Sequence, residues 1–378
     1  MPVTRSRLLA TLDAAIKAAR TPIEAQCLRA ERAGLLARQG QLERARAAID
    51  ELNSQLAWQP TNHLLRAWLA MAEGLHGYYS VIGRSAQESV ELAYTLAKEG
   101  GPAAARLRAT AAAWLANMAF ANDDMARMGE LVREALACAA PEHHGARARA
   151  ALVAGFALHF AGRVERAQPW YEASRRHAIA EGDEAHLSAL MHNQAWMRAS
   201  QARMALLFAD PATGSDSVAQ ALMGAESIGH YDAGIGTASL GSLVPMLRAQ
   251  VLTSQGRWAE ALALFGTHFD SALTEGLRRI APGLLADRAW CEFHLGNADR
   301  ARTLAAAAVQ ALAEPCDVDD HAMALARLAQ VHAALGDAGI AAAERAKSLE
   351  LHAAHRAEQQ RIAALLEVAL AGLDPAQC

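Results

Sequence analysis

The sequence predicts an all-α protein, a solenoid of stacked αα-hairpins, and two observations lead to that prediction. The first is composition. Hydrophobic residues make up 53% of the 378 residues but aromatic residues only 5%, so alanine supplies much of the apolar content, which favours closely packed helices. The second is an internal repeat, in which a glycine is followed five residues later by an alanine. Three such glycines, Gly256, Gly296 and Gly336, are spaced by 40 residues (296 − 256 and 336 − 296).

Each repeat contains two segments of helical apolar periodicity that flank the glycine. Copies of the same turn occur at Gly40 and Gly162, and junctions that lack the alanine are predicted near Gly83 and Asn122. The glycine predicts a left-handed residue that ends the first helix. The alanine lies one turn into the second helix, where a small side chain lets the two helices approach. We therefore expect helices of about 16–18 residues, about 25 Å long, that stack because one hairpin cannot bury its apolar face alone.

The predicted organisation is a single domain over residues 1–378. Residues 4–20 are predicted to form an N-terminal capping helix, 24–349 the repeats, and 350–372 a C-terminal capping helix. An open solenoid needs such caps for solubility. A run of turn-forming residues over 208–217 is predicted to lengthen one connection between repeats.

The repeat resembles the tetratricopeptide repeat family, in which a small residue in the first helix is followed by a turn glycine, an alanine, a bulky residue and another small one. The residues that fit this order are Gly155, Gly162, Ala167, Tyr171 and Ser174, then Gly256, Trp258, Ala261 and Phe265, then Gly296, Ala301, Ala305 and the closing Pro315. The resemblance covers residues 24–349. It implies a right-handed superhelix, here a long-helix variant, because the period is about 40 residues rather than about 34. HEAT-like repeats share the longer period and are the structural alternative.

The resemblance also implies that the first helix of each hairpin lines a concave surface. The residues placed on that surface are His192, Asn193, Trp196, Phe156, His159, Phe160, Met246, Gln250, Glu292, Phe293 and His332. Aromatic, amide and imidazole groups on one inner surface can hold a peptide through apolar anchors and hydrogen bonds. His192, Asn193 and Trp196 are the strongest candidates, since two polar groups accompany one aromatic group. The phenylalanines and Met246 have the alternative of packing in the core between helices, and the family's clamp for a C-terminal carboxylate is not apparent.

Composition argues against several classes of partner. A net charge of −4, from 36 Lys and Arg against 40 Asp and Glu, argues against nucleic acid or a membrane surface as the main partner. No apolar run approaches the length of a membrane span, and the N-terminus lacks a secretory core, so a cytoplasmic protein is expected. Five scattered cysteines without a C-x-x-C pair argue against a disulfide framework.

Candidate chemical motifs have simple structural alternatives. His143 and His144 are adjacent, and the H-E-x-x-H pattern of metalloproteases is absent, so no metal is expected. The acidic cluster over 314–321 is typical of a helix N-terminus, with cation binding as the alternative. The glycine-rich run over 234–242 is neither a dinucleotide fingerprint nor a P-loop. No cofactor and no catalytic residue are expected.

The expected function is that of a non-enzymatic scaffold that binds a peptide or protein segment in its concave groove. The alternative is a sensor, in which a small molecule or signalling peptide alters the superhelix and thereby the docking of a partner. Long-helix variants are similar to sensor regions of bacterial regulators and of some diguanylate cyclases, although no GGDEF stretch and no helix-turn-helix occur here. A groove closed into a pocket favours the sensor, and an open groove favours the scaffold. Homo-oligomers formed through the solenoid ends are also compatible with this architecture.

Overall fold

A computed structural model of the chain describes residues 6–57, 62–80, 84–208 and 241–378. All regular structure in these residues is helical, with sixteen α-helices, three short 3₁₀ turns and no strand. The all-α prediction is therefore confirmed for the described part of the chain. None of these helices is both long and apolar enough to cross a membrane.

Ten of the helices precede position 209 and six follow position 240. The first ten are α1 (Arg7–Ala18), α2 (Pro22–Arg38), α3 (Leu42–Ala57), α4 (His63–Ser80), α5 (Arg84–Glu99), α6 (Ala105–Ala121), α7 (Met125–Cys138), α8 (His144–Phe160), α9 (Val164–Glu181) and α10 (Glu184–Phe208). The other six are α11 (Leu243–Ser254), α12 (Trp258–Thr274), α13 (Ala281–His294), α14 (Ala298–Ala311), α15 (Val318–Ala334) and α16 (Ala338–Ala369). Most are close to the predicted length, whereas α10 has 25 residues and α16 has 32.

The chain forms two compact units. Among the described residues, unit 1 contains 6–190 and 361–378, and unit 2 contains 191–208 and 241–360. The boundaries between the units fall inside α10 and α16. The single domain predicted from the sequence stays a prediction.

Unit 1 contains α1 and four helix pairs, α2–α3, α4–α5, α6–α7 and α8–α9, together with the start of α10 and the C-terminal part of α16. The first helices of successive pairs pack on one another, and each second helix also packs on the next first helix. One continuous core lies between them, in which Leu107, Met128 and Leu152 are fully buried. Small residues permit the close approach: a Cβ atom at Gly155 would lie 3.0 Å from the ring of Tyr171. The first helices thus share one face of unit 1.

Unit 2 pairs α11 with α12 and α13 with α14. The first helices again pack on one another, α11 on α13 and α13 on α15. Phe265 of α12 is fully buried in the core of the first pair. Ala195 and Ala199 of α10 pack with Leu247 of α11. The same packing rule therefore builds both units.

The turn predicted from the glycines is a left-handed helix end that recurs in both units. The backbone angle φ is 75° at Gly40, 72° at Gly162, 76° at Gly256, 84° at Gly296 and 90° at Gly336. After each glycine, the next N–H donates to the carbonyl five residues earlier, as from Arg163 to Leu158 at 2.8 Å. This hydrogen bond is typical of the Schellman helix end. The left-handed turn is confirmed at all five glycines.

The alanine that follows each turn has the predicted environment. Four of these alanines, five residues after the glycine, have no exposed surface: Ala45, Ala167, Ala261 and Ala301. The junction predicted near Asn122 is also present, with Asp123 as its left-handed residue at a φ of 60°. Gly83 lies outside the described residues, as do nearly all of 208–217 and 234–242.

The two predicted capping helices have different outcomes. A helix, α1, lies where the N-terminal cap over 4–20 is predicted, and Ser6 accepts a hydrogen bond at its start. The C-terminal cap over 350–372 is not a separate helix, because α16 continues without a break to Ala369. The physical reason is that residues 340–371 contain no glycine or proline that would end a helix.

Candidate functional site

The first helices of unit 1 surround a cavity of about 70 Å³. Its walls come from α2, α4, α6 and α8, with contributions from α1 and from the start of α10. Leu8 and Leu12 of α1, with Trp68 and Met71 of α4, give it an apolar side. The cavity thus lies on the face formed by the first helix of each hairpin.

Three arginines and three carboxylates line the remainder of this cavity: Arg38, Arg106, Arg149, Glu31, Glu181 and Asp183. Two ion pairs connect four of them. The Nη2 atom of Arg38 lies 2.6 Å from Oδ2 of Asp183, and Arg106 contacts Glu31. Burial alone would raise the pKa of Asp183, but the charge of Arg38 together with the hydrogen bonds from Arg38 and from the backbone of His186 holds that pKa below its ordinary value. The charges of these four groups are therefore paired, although Oε2 of Glu31 and Nε of Arg38 have no hydrogen-bond partner among the described residues.

Arg149 is the arginine that the two ion pairs leave over. Only 7% of its surface is exposed, and its guanidinium carbon lies 4.0 Å from the centroid of the Trp114 ring. No carboxylate of a described residue lies within ion-pair distance of it, and its buried Nε donates to no described residue. Burial lowers the pKa of Arg149. A cation–π contact of about 2 kcal/mol offsets only part of the several kcal/mol that desolvation of an ion costs.

Glu181, the last residue of α9, is the carboxylate left over. Its Oε1 atom would lie 3.8 Å from a Cβ atom at Gly145, which is one helical turn before Arg149 on α8. It accepts no hydrogen bond from a described residue. Burial raises the pKa of Glu181, while the charge of Arg106 acts in the opposite direction. The same cavity therefore contains one cation and one carboxylate without protein partners.

His186 adds hydrogen bonds to this wall but no charge. It is almost fully buried, and its Nε2 atom lies 2.8 Å from Oγ of Ser174. Its backbone N–H donates to Oδ1 of Asp183 at 2.9 Å. Burial first, and the charge of Arg149 second, hold the pKa of His186 well below its usual value of 6.5. The imidazole is therefore neutral at pH 7.

Unit 2 contains a buried charge cluster of a different kind. Asp287 has no exposed surface and lies between two arginines, 2.9 Å from Nη2 of Arg203 and 2.9 Å from Nε of Arg327. The amide of Gln250 donates to the same carboxylate at 3.4 Å. The guanidinium of Arg327 also lies 5.5 Å from the centroid of the Trp290 ring. Every member of this cluster has a partner within the unit.

Only one group of carboxylates in the described residues has oxygens close enough for a single metal ion: Asp317, Asp319 and Asp320. The group lies at the start of α15, where acidic side chains interact favourably with the helix dipole. Burial, followed by the charge of Asp319, raises the pKa of Asp320 to about 7. No further feature of this group points to a cation, and the helix-start interpretation accounts for it.

The residues predicted on the concave surface of unit 1 do not line the cavity. Phe156 and Phe160 pack edge-to-face against Phe120, with ring centroids 5.6 and 5.9 Å apart. His159 is buried, and its Nδ1 atom lies 3.1 Å from the hydroxyl of Tyr171. Both contacts place these side chains at the C-terminal end of α8, whereas the cavity lies at its N-terminal half.

The structure brings two of the predicted residues in unit 2 together. Trp196 and Gln250 line a small cavity of about 10 Å³, together with Arg203 and Asp320. Met246 has no exposed surface and belongs to the core, which was its alternative. This space is no larger than about one water molecule, so these residues surround a packed interior.

The other predicted residues of unit 2 are spread among local contacts. Glu292 accepts a hydrogen bond of 2.7 Å from Asn297, Phe293 stacks on Trp290, and Nδ1 of His332 lies 2.7 Å from Glu344. His192 is buried and Asn193 is half-buried.

Three residues that line the cavity of unit 1 lie at two positions counted back from the turns. Counted back from Gly40, Asp123, Gly296 and Gly336, the ninth position holds Glu31, Trp114, Asp287 and Arg327, whereas before Gly162 and Gly256 it holds Val153 and Leu247. The thirteenth position holds Arg149, counted from Gly162. Positions nine and thirteen are four apart and so lie on one helix face. Charged or tryptophan residues at these positions of otherwise apolar helices are the signal that could have identified the site.

Comparisons with known proteins assign no family. No model of a known protein family matches the chain. A search of curated proteins also finds no match.

Proposed function

We propose that the chain is a non-enzymatic binding module whose ligand site is the cavity of unit 1. The hairpins of each unit would stack as a right-handed, tetratricopeptide-like solenoid, and the inner face of unit 1 would hold a small ligand. This is the sensor hypothesis, in which occupancy of the site changes the docking of a protein partner. The open-groove scaffold for peptides is the less favoured function.

The observation that carries the proposal is the buried, unpaired guanidinium of Arg149. Desolvation of an ion costs several kcal/mol unless charge and hydrogen bonds compensate. Stacking on Trp114 supplies part of the compensation. A ligand that accepts hydrogen bonds from Arg149 would supply the rest, and it would gain a strong, charge-assisted contact.

The small volume of the cavity favours a small ligand over a long peptide. The first helices of unit 1 form its walls, and α1 contributes Leu8 and Leu12 to the same space. A peptide bound along an open groove would need a continuous exposed surface. The volume of about 70 Å³ instead suits a compact molecule or one short group of a larger one.

The experiment is a thermal-shift screen of the full chain against a library of metabolites and short peptides. We expect at least one small molecule to raise the Tm of the wild-type chain, because a ligand that binds only the folded state stabilises it by about 2.7 kcal/mol at 100 times its Kd. The Arg149→Met variant should lose that shift. Arg302→Met, which removes an exposed arginine paired with Asp337, is the matched control and should keep it.

Two results would argue against this function. One is a screen in which no compound shifts the Tm of the wild-type chain at millimolar concentration. The other is a set of ligands that stabilise the wild-type chain and Arg149→Met equally, because their binding would then be independent of the cavity. Circular dichroism of each variant would establish that it is folded before binding is compared.

A further inference from the structure

We infer that the cavity of unit 1 binds a small free α-amino acid, with the ligand carboxylate on Arg149 and the ligand ammonium on Glu181. This inference rests on the proposed function and specifies the ligand class of that site. The cavity is lined by six charged side chains, four of which form two ion pairs. The two that remain are the cation Arg149 and the carboxylate Glu181. A ligand with one positive and one negative charge matches that remainder.

Arg149 and Glu181 lie close enough along the chain of contacts for one small ligand to reach both. Glu181 lies beside Gly145, and Arg149 follows Gly145 by one turn of α8, which is a rise of about 6 Å. Both side chains face one cavity, yet they do not contact each other. A molecule that carries both charges could therefore lie between the two groups within this one cavity.

Other charge classes leave a group unsatisfied or repelled. A phosphate or dicarboxylate would place extra negative charge near Glu181, Glu31 and Asp183, which line the same space. A simple amine would face Arg149 with the same charge sign. A neutral sugar would leave both Arg149 and Glu181 without a counter-charge. Because like charges at short range cost more in a buried site than in water, the zwitterion is favoured over each of these.

The size of the cavity limits the amino acid to a small one. A volume of about 70 Å³, at about 10–15 Å³ for each enclosed water, holds about as many non-hydrogen atoms as alanine contains. The apolar side, formed by Leu8, Leu12 and Trp68, suits a methyl group better than a polar side chain. Alanine is therefore the reference probe, with glycine and serine as near neighbours.

The experiment is isothermal titration calorimetry of the full chain with four probes. L-alanine carries both charges, propionate only the carboxylate, ethylamine only the ammonium, and inorganic phosphate tests an anion site. We expect L-alanine to bind at least about tenfold more tightly than any of the other three. A propionate or phosphate affinity equal to or above that of alanine would overturn the inference.

Two variants test the two contacts separately. Arg149→Met should abolish binding of alanine and of propionate. Glu181→Gln keeps the shape of the side chain, and it should reduce alanine affinity until alanine and propionate bind alike. Equal alanine binding by Glu181→Gln and the wild-type chain would contradict the inferred role of Glu181, and Arg302→Met is again the control that should change nothing.

The outcomes separate this inference from the function on which it rests. If alanine fails to bind but a metabolite of another class binds and depends on Arg149, the ligand class is wrong and the binding function stands. If no compound of any class depends on Arg149, both fail. If alanine binds equally to the wild-type chain and Arg149→Met, its site lies elsewhere and the inference is overturned.

Discussion

The two units place a buried arginine over a tryptophan in the same kind of helix, but with different partners. In unit 2, Arg327 lies over Trp290 and pairs with Asp287, which also holds Arg203. In unit 1, Arg149 lies over Trp114 and has no carboxylate in reach among the described residues. In unit 2 the fold itself supplies the counter-charge of the buried arginine. In unit 1 a molecule other than the described protein would have to supply a hydrogen-bond acceptor for Arg149.

This difference separates a structural charge cluster from a binding site more clearly than burial or charge alone. Both arginines are more than nine-tenths buried, so exposure does not distinguish them. What distinguishes them is whether the arginine has a carboxylate partner inside its own unit. A buried group without one costs stability, and its presence is understandable when a ligand provides the missing contact.

The largest effect is expected for Asp287→Ala in unit 2. The substitution leaves Arg203 and Arg327 buried side by side without their counter-charge, so the free energy of unfolding should fall by about 3–5 kcal/mol. Urea unfolding followed by circular dichroism measures it. The control is Asp337→Ala, which removes a half-buried partner of the exposed Arg302 and should cost no more than about 1 kcal/mol. A cost below 1 kcal/mol for Asp287→Ala would mean that the cluster is not structural.

The matched pair Arg149→Met and Arg327→Met tests the comparison directly. Methionine keeps much of the apolar stem and removes the charge. Arg327→Met should lower the free energy of unfolding by about 1–3 kcal/mol, because Asp287 loses one of its partners. Arg149→Met should be neutral or should raise it by about 1 kcal/mol, since it removes a buried charge that lacks a partner. Denaturant midpoints of the ligand-free variants that shift in the same direction would refute the contrast.

The acidic group at the start of α15 makes the stability of unit 2 depend on pH. The pKa of Asp320 is raised from 3.8 to about 7 by burial and by the charge of Asp319, so folding favours the protonated form. The stabilising effect of this proton is fully present below about pH 4 and is lost as the pH rises to about 7. Asp320→Asn should therefore gain stability relative to the wild-type chain between pH 4 and pH 7. Tm values across this range measure the difference.

The control for the pH effect is Asp299→Asn, an exposed acidic residue in the first turn of α14. Its stability should follow that of the wild-type chain across the same pH range. If Asp320→Asn also follows the wild-type chain, the carboxyl group of Asp320 does not titrate in this window and the pKa assigned to it is wrong.

The helices and turns could be predicted from the sequence because their signals are local. A glycine that adopts a left-handed φ and an alanine five residues later report the geometry of one hairpin, and neither depends on distant residues. The break predicted between the last repeat and a C-terminal cap was wrong, because no local signal ends the helix at that point. After Gly339, in the first turn of that helix, no glycine or proline occurs before Gly372 to end it, and the repeat pattern alone does not end a helix.

The candidate site could not be predicted in the same way, because it depends on which charges find partners. Arg38 and Arg149 look alike in the sequence, as arginines in alanine-rich helices. Only the packing shows that Asp183, 145 residues from Arg38, closes one pair while Arg149 remains open. Phe156 and Phe160, which were predicted on the binding surface, pack against Phe120, whereas Trp114 and Arg149, which line the cavity, lie nine and thirteen residues before their turns.

The smallest effects are expected at the turns, where the two units should behave alike. Gly162 in unit 1 and Gly296 in unit 2 have φ values of 72° and 84°, and a Cβ atom would meet no other atom at either position. Alanine at each should cost about 1–2 kcal/mol from the left-handed backbone alone. Gly266→Ala, inside α12 with equally open space, is the control and should stabilise by up to about 1 kcal/mol. The two turns do not differ sterically, so unequal costs in urea unfolding would show that the two units unfold separately. Equal costs would mean that the turns are equivalent and that the two units differ in their buried charge clusters.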